Sequence, residues 1–281
     1  MKMKRFKPTT PSRRQMTVVE YGLLSKVKPQ KNLLVKLSSF SGRNNQGRIT
    51  VRHQGGGVKR LYRLVDFNQA DKLNIPAKVE TIEYDPYRTA FIMKILYKDG
   101  ERRYVLAPQG VKVGDEIITA DSASYKPGNR MRLKNIFVGY RIYNIELNPG
   151  KGGQIIRSAG SSSEVLAHDA GYTHIKIPSG EIRKVLWDNF ACIGQVSNPD
   201  WTLTNIGKAG RSRKMGIRPT VRGTAMNPRD HPYGGGEGRQ PRGTKKPKTK
   251  WGKVTGGKRT RKKNKWSNIL IVKRRIKKKK R

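Results

Sequence analysis

Apolar and polar residues alternate through the middle of the chain with a period of two, the signature of strands that bury one face. Lys78-Val-Glu-Thr-Ile-Glu-Tyr84 is followed by the turn residues Asp85-Pro-Tyr-Arg88. Ala90-Phe-Ile-Met-Lys-Ile-Leu-Tyr97 comes next, Lys98-Asp-Gly-Glu101 reads as a hairpin turn, and Arg102-Arg-Tyr-Val-Leu-Ala107 returns. Val113–Thr119 adds one more, and Leu61–Phe67 opens the set. Strands this short, this evenly spaced and joined by such turns predict an antiparallel OB-like barrel over residues 61–125.

The rhythm then repeats. Gly139–Leu147, Val165–Asp169, Tyr172–Ile177, Ile182–Trp187 and Ala191–Val196 read as strands, with Pro178-Ser-Gly-Glu181 as a turn. Residues 126–198 therefore predict a second, SH3-like barrel. Each unit is ~70 residues and buries only ~60% of its unfolded surface, so each is marginal alone. No long amphipathic helix is expected; Arg211–Lys214 could start a short one.

The flanks lack this pattern. Residues 1–60 are punctuated by Pro8, Pro11, Pro29 and Gly55-Gly-Gly57 and predict an extended arm, with Ile49–His53 as a short strand. Residues 199–281 form a Gly- and Pro-rich extension. Charge follows the same division. Residues 1–65 carry 16 Lys and Arg against Glu20, and residues 239–281 carry 21 with no Asp or Glu. Residues 75–125 hold 7 basic and 8 acidic groups, and residues 130–198 hold 9 and 5. Two nearly neutral segments can fold, whereas the cationic arms repel themselves and are expected to order on a polyanion.

The net charge of +43 suits phosphate neutralisation, so a nucleic-acid partner is expected. No stretch approaches the ~20 apolar residues that span a bilayer, and no apolar run follows the basic Met1–Lys7, so neither a membrane partner nor a secretory signal is expected. Cys192 is the single cysteine, which excludes an internal disulfide and a cysteine zinc cluster. Its apolar neighbours predict a buried thiol in a reducing, cytosol-like compartment.

Two glycine-rich loops carry the candidate chemistry. In Leu147-Asn-Pro-Gly-Lys-Gly-Gly-Gln154, small residues let backbone N–H groups approach phosphate while Lys151 and Arg157 supply charge. The second loop contains Asp230-His-Pro-Tyr-Gly-Gly-Gly-Glu237. A histidine among glycines has no packing role, so His231, with Gly234, Gly235 and Gly236, is expected to contact RNA. Lys208, Arg211, Arg213, Arg222, Arg229 and Arg239 are candidate contacts around it. Further along, Lys258, Arg259, Arg261, Lys262 and Lys263 are directed to phosphate. Trp251 and Trp266 have no local core and are read as stacking on bases or ribose, whereas Trp187 is expected in a core. His168 and His174 lie in predicted strands and are read as structural. No metal-ligand spacing, catalytic nucleophile or cofactor loop occurs: Gly252–Lys258 has a P-loop spacing, but Arg259 stands where Ser or Thr is required. No cofactor is expected, and magnesium only as an ion associated with RNA.

Several stretches resemble one family in order along nearly the whole chain. Ile82–Ala90, Arg103–Pro108, Asn144–Gln154 and Gly207–Arg211 are similar to the universal second protein of the large ribosomal subunit, and Val221–Gly238 resembles its most specific signature. The tail around Trp251–Lys265 looks like the bacterial form. The resemblance implies an OB-like and an SH3-like barrel with extensions threaded through large-subunit RNA. It also implies a structural role near the peptidyl-transferase centre, in subunit association and in tRNA binding. Expected partners are ribosomal RNA, other ribosomal proteins and the small subunit, with one copy per ribosome and no homo-oligomer. The family's histidine maps onto His231. Tyr233 stands where a second His is usual, Arg229 where an apolar residue is, and Lys214 where a Trp is. An RNA-acting enzyme and a cold-shock-like chaperone are the competing classes. The first lacks clustered acid–base residues, and the near-neutral charge of residues 75–125 opposes the second.

Overall fold

In the computed structural model, residues 3–39, 41–238, 242–257 and 260–275 are described. They divide into two units. The first takes the described parts of Met1–Ser38, Lys59–Lys208 and Ile269–Arg281; the second takes those of Ser39–Val58 and Ala209–Asn268.

The first unit begins with β1 (Met3–Arg5), the short helix α1 (Pro11–Arg14) and β2 (Thr17–Val19), which pairs antiparallel with β1. Pro11 sits in the first turn of α1, where its missing N–H costs nothing. β3 (Leu34–Val35) pairs with β4 (Tyr62–Arg63). These segments are short and irregular, as the arm reading expects, but they do not stand free. Val19 is buried in the first core, and Met3 and Leu24 pack against it.

β5 (Ala77–Glu83), β6 (Ile92–Tyr97), β7 (Arg102–Leu106) and β8 (Glu116–Ile117) form a four-stranded sheet in the order β7-β6-β5-β8. This is the curved half of the OB-like barrel. The alternation predicts its inner face: Ala77, Val79, Met93, Ile95, Tyr97, Val105 and Ile117 form the core with Phe91. The turns follow the sequence chemistry. Asp85 is fully buried and accepts the Tyr87 N–H at 2.9 Å, and Gly100 takes φ +88° in the hairpin. Val113–Thr119 yields only the two residues of β8, because Gly114 (φ +96°) and the Asp115 carboxylate, which accepts the Lys112 N–H at 2.7 Å, make its first half a turn.

The second barrel is a seven-stranded antiparallel sheet. Its strands are β9 (Arg130–Arg132), β10 (Arg141–Tyr143), β13 (Ser163–Asp169), β14 (Tyr172–Lys176), β15 (Ile182–Leu186), β16 (Phe190–Ile193) and β17 (Ile271–Lys273), in the order β17-β15-β14-β13-β10-β16-β9. The predicted strand Gly139–Leu147 is broken at Asn144 (φ +49°) into β10 and β11 (Ile145–Glu146), and β11 pairs with β12 (Gly153–Ile155) instead. β9 and β17 were not foreseen; each is three residues and gains its order only by pairing. Cys192 is buried, as read. His168 is structural, with Nε2 2.7 Å from the Ile136 carbonyl. Trp187 is a correction: it is half-buried and belongs to none of the core clusters, because Leu186 before it is exposed and the chain turns at Asp188.

The two barrels share an apolar seam of Ala90, Leu106, Tyr143, Cys192 and Val196, flanked by Phe67 and Ile156. Backbone bonds stitch it: Gln109 N–H to Gln195 O at 2.7 Å and Ser197 N–H to Ala107 O at 3.0 Å. Behind the seam lies a fully buried ion pair. Arg130 Nη2 donates to Glu146 Oε1 at 2.7 Å and Nη1 to the Asn144 carbonyl at 3.0 Å, while Glu146 Oε2 accepts the Phe190 N–H at 3.1 Å.

Two outcomes are expected. Arg130→Ala strands the Glu146 carboxylate and should cost about 3–5 kcal/mol in urea unfolding, whereas Arg130→Met with Glu146→Leu should recover most of it. The Tyr104 hydroxyl donates to Glu83 Oε2 at 2.9 Å and accepts the Gln30 N–H at 3.0 Å, and burial pushes its phenol up to about 12. A raised folded pKa favours the protonated phenol. Its contribution is therefore whole below the unfolded value of about 10 and lost as pH rises through about 12. Tyr104→Phe should remove a share of the tyrosine absorbance change near pH 12, while the later changes of the more deeply buried Tyr97 and Tyr143 remain.

Candidate nucleic-acid interface

The second unit is unlike the first in one decisive respect. Residues 39–58 and 209–268 carry 22 Lys and Arg against two acidic groups. Among the described residues, none of the buried hydrophobic side chains falls in these ranges. Charge of one sign without an apolar core cannot hold a fold by burial. What order the unit has comes from backbone pairing and turns.

One such pairing joins segments far apart in sequence. Gly55 N–H donates to Gly216 O at 2.8 Å, Val58 N–H to Lys214 O at 3.0 Å and Arg218 N–H to His53 O at 3.0 Å. A Cβ on Gly57 would lie 3.1 Å from Gly216 Cα, so the Gly55-Gly-Gly57 triplet permits two backbones to approach. Ile49–His53 is not the expected strand: Ile49 makes one bridge, to Arg43, and the rest bends, with His53 at φ +62°. The pairing ends at α2 (Ala209–Lys214), which carries Arg211, Arg213 and Lys214 in its last turn. Arg213 Nη1 is buried with no hydrogen-bond partner inside the protein.

The signature loop is built around His231. Its backbone N–H donates to Asn227 O at 3.2 Å, and its carbonyl accepts the Gly234 N–H at 2.8 Å. The ring Nδ1 accepts the Tyr233 N–H at 3.1 Å, which places the ring proton on Nε2. Nδ1 is therefore already engaged within the loop, and Nε2 is the ring donor. Its ring lies against Gly223, where a Cβ would come within 2.5 Å of Cε1. Gly234 and Gly235 are equally confined, a Cβ falling 2.2 Å from Asn227 O and 2.6 Å from Pro228 Cγ respectively. Gly236 takes φ +80° and is exposed. The small size of Gly234 and Gly235 also lets the loop fold on itself.

The first glycine loop, in the first unit, is likewise confined by the protein itself. Gly152 (φ +73°) would place a Cβ 3.1 Å from the Phe67 carbonyl, and Gly153 would place one 2.0 Å from Asn144 Oδ1. Gly153 N–H also donates to Phe67 O at 2.8 Å. Arg157 is held there too. Its guanidinium lies 4.3 Å from the centroid of Phe67, Nη1 donates to Gly153 O at 3.1 Å, and burial, with Arg88 nearby, lowers its pKa. Lys151 is exposed at the tip beside Gly150, around which a Cβ would meet nothing.

The remaining candidates are spread out. Lys208, Arg222, Arg229, Lys262 and Lys263 are exposed. Arg261 braces a turn, donating to Asn268 Oδ1 at 2.7 Å and Ser267 Oγ at 2.8 Å. Trp251 and Trp266 are each 68% exposed, with Lys250 Nζ 4.7 Å from a Trp251 ring centroid. Arg239, Lys258 and Arg259 lie outside the described residues. Sequence reading missed Tyr233, Arg242 and Lys248, which line a cleft with His231 and Arg222. Among the described residues no group of three or more His, Cys, Asp or Glu could hold a metal ion, and no helix is long and apolar enough to cross a membrane.

Gly153→Ala should lower the thermal midpoint several times more than Gly150→Ala. The latter adds only the left-handed strain of about 1 kcal/mol, whereas the former, free of that strain, drives a Cβ into Asn144.

Two family models match this chain in series. Residues 30–119 match the RNA-binding N-terminal domain of ribosomal proteins L2, and residues 126–252 match the C-terminal domain of ribosomal proteins L2.

Proposed function

The chain belongs to the ribosomal L2 family of structural, RNA-binding ribosomal proteins, and from that premise we propose that it organises large-subunit RNA near the peptidyl-transferase centre and supports tRNA binding and association with the small subunit. The fused barrels serve as a platform. The second unit follows RNA and neutralises phosphates where RNA helices pack. It works as one copy per ribosome, with other ribosomal proteins as neighbours, in a cytoplasm of bacterial type. Peptide transfer is carried by RNA, and magnesium enters only as an RNA-associated ion.

The observation that carries this reading is the coreless, cationic second unit, which bears the signature loop and needs a polyanion to offset its self-repulsion. Lys151, Arg157, Lys208, Arg211, Arg213, Arg222, Arg229, His231 and Trp251 are the contacts assigned to RNA. The role of Arg157 is narrower than its charge suggests, because Phe67 and Gly153 already engage its guanidinium.

Sedimentation tests it. In a sucrose gradient the chain should stay with large subunits through a high-salt wash. Release to the top fractions would instead indicate loose polycation binding and a chaperone. His231→Ala should leave the barrels folded, since the ring touches neither core cluster, yet reduce subunit assembly or translation. Wild-type translation and subunit association in that variant would remove His231 from the functional set.

A further inference from the structure

We propose that the cleft beneath His231 is a seat for a single phosphate of the RNA backbone, held jointly by Arg222, Arg242 and Lys248. The inference rests on the RNA-binding reading above and assigns two residues, Arg242 and Lys248, that sequence reasoning had not singled out.

The cleft has a volume of about 460 Å³, more than a bare phosphate fills, and no acidic side chain lines it. Its three cations come from two stretches of chain, Arg222 from one and Arg242 and Lys248 from the other. Arg222 precedes the turn Gly223–Ala225 that carries the His231 ring on Gly223. Arg242 reaches over the Tyr233 ring, 5.8 Å from the centroid. Lys248 is brought in by a clasp: the Tyr233 hydroxyl accepts the Lys248 backbone N–H and the Thr244 hydroxyl, the latter at 3.4 Å. The clasp ties residues 244–248 to the signature loop, so Tyr233 has a positioning role. Like charges gathered without a carboxylate repel one another unless an anion sits between them. The His231 Nε2–H supplies a further donor, since Nδ1 is already engaged by the Tyr233 N–H. The Tyr233 phenol is held below its usual range by the Thr244 hydrogen bond first, then by the Lys248 backbone N–H, with the Arg242 and Lys248 charges adding to it.

A shared phosphate and three separate phosphates differ in their salt dependence. Each neutralised phosphate contributes about 0.7–0.9 to the slope of log Kobs against log salt. The experiment measures that slope for the full chain on large-subunit ribosomal RNA, across a potassium chloride series at fixed magnesium. If the seat is shared, Arg242→Gln and Lys248→Gln each flatten the slope by part of one phosphate. The double variant then flattens it by no more than about 0.7–0.9 in total. Arg242→Lys and Lys248→Arg, which keep the charge, retain the wild-type slope.

An unchanged slope in the double variant would overturn the proposal. So would a loss worth two phosphates, or a flattened slope in the charge-conserving pair. Inorganic phosphate, added at matched ionic strength, separates an RNA phosphate from a free one. Weak competition, lost in the double variant, is expected. Tight binding of inorganic phosphate without RNA would make the cleft a free-phosphate site and sink the RNA assignment. Failure of the wild-type chain to sediment with large subunits would fall on the ribosomal reading alone, because the slopes are measured on isolated RNA.

Discussion

The buried pair of Arg130 and Glu146 is the interaction on which the rest of the first unit depends. Two charges inside a core are costly unless every polar atom finds a partner. Here both Arg130 Nη atoms are engaged, by Glu146 and the Asn144 carbonyl, and Glu146 reaches the Phe190 N–H, while Arg130 Nε alone is left without a partner. Three strands are thereby fixed in register: β9, which alternation alone does not reveal, the β10–β11 break, and β16. The break matters most. Asn144 in a left-handed conformation turns Ile145–Glu146 away from the main sheet and onto β12, which sets the Gly152–Gly153 backbone against Phe67. One buried pair thus connects the interior of the second barrel to the seam that joins it to the first. The marginal size of each barrel ceases to be a difficulty once Leu106, Tyr143 and Val196 share one apolar cluster.

The second unit inverts that economy. It carries 22 basic groups and no buried apolar side chain among its described residues, so its energy minimum depends on what neutralises it. Its local order is of a kind that survives without a core: glycines that let backbones touch, a histidine that caps a turn with its own ring nitrogen, a tyrosine that clasps a distant strand of tail. Such features hold a shape within a loop but resist repulsion poorly. On the reading proposed above, counterion release on binding RNA would supply the missing stabilisation.

Much of this was legible in the sequence, and the exceptions share a cause. β5, β6, β7, β14 and β15 follow their alternation to within a residue or two, because each buries one face on a core made mostly by its neighbours in sequence. β17 and the pairing of Gly55–Val58 with Lys214–Gly216 were missed because their partners lie far away in sequence and they bury little. Gly55-Gly-Gly57 did carry a signal, but as punctuation of an arm; its close approach to Gly216 becomes visible only when both strands are present. Trp187 was misplaced for the converse reason: size suggested a core, while its position at the end of a strand leaves it half-buried.

The glycine loops show that composition alone leaves the reason for a glycine open. Gly152, Gly153, Gly234 and Gly235 were read as space left for phosphate, yet an added Cβ at each meets the protein itself. A glycine may be required because something approaches from outside or because the chain approaches itself, and the sequence looks the same in both cases. The difference decides which residues can recognise RNA. Where glycines are filled from within, recognition passes to the side chains that the tight loop projects. At His231 the ring Nδ1 already accepts the Tyr233 N–H, and the ring face lies against Gly223. On the reading proposed above, the loop would bind phosphate through its ring N–H and the cations around it.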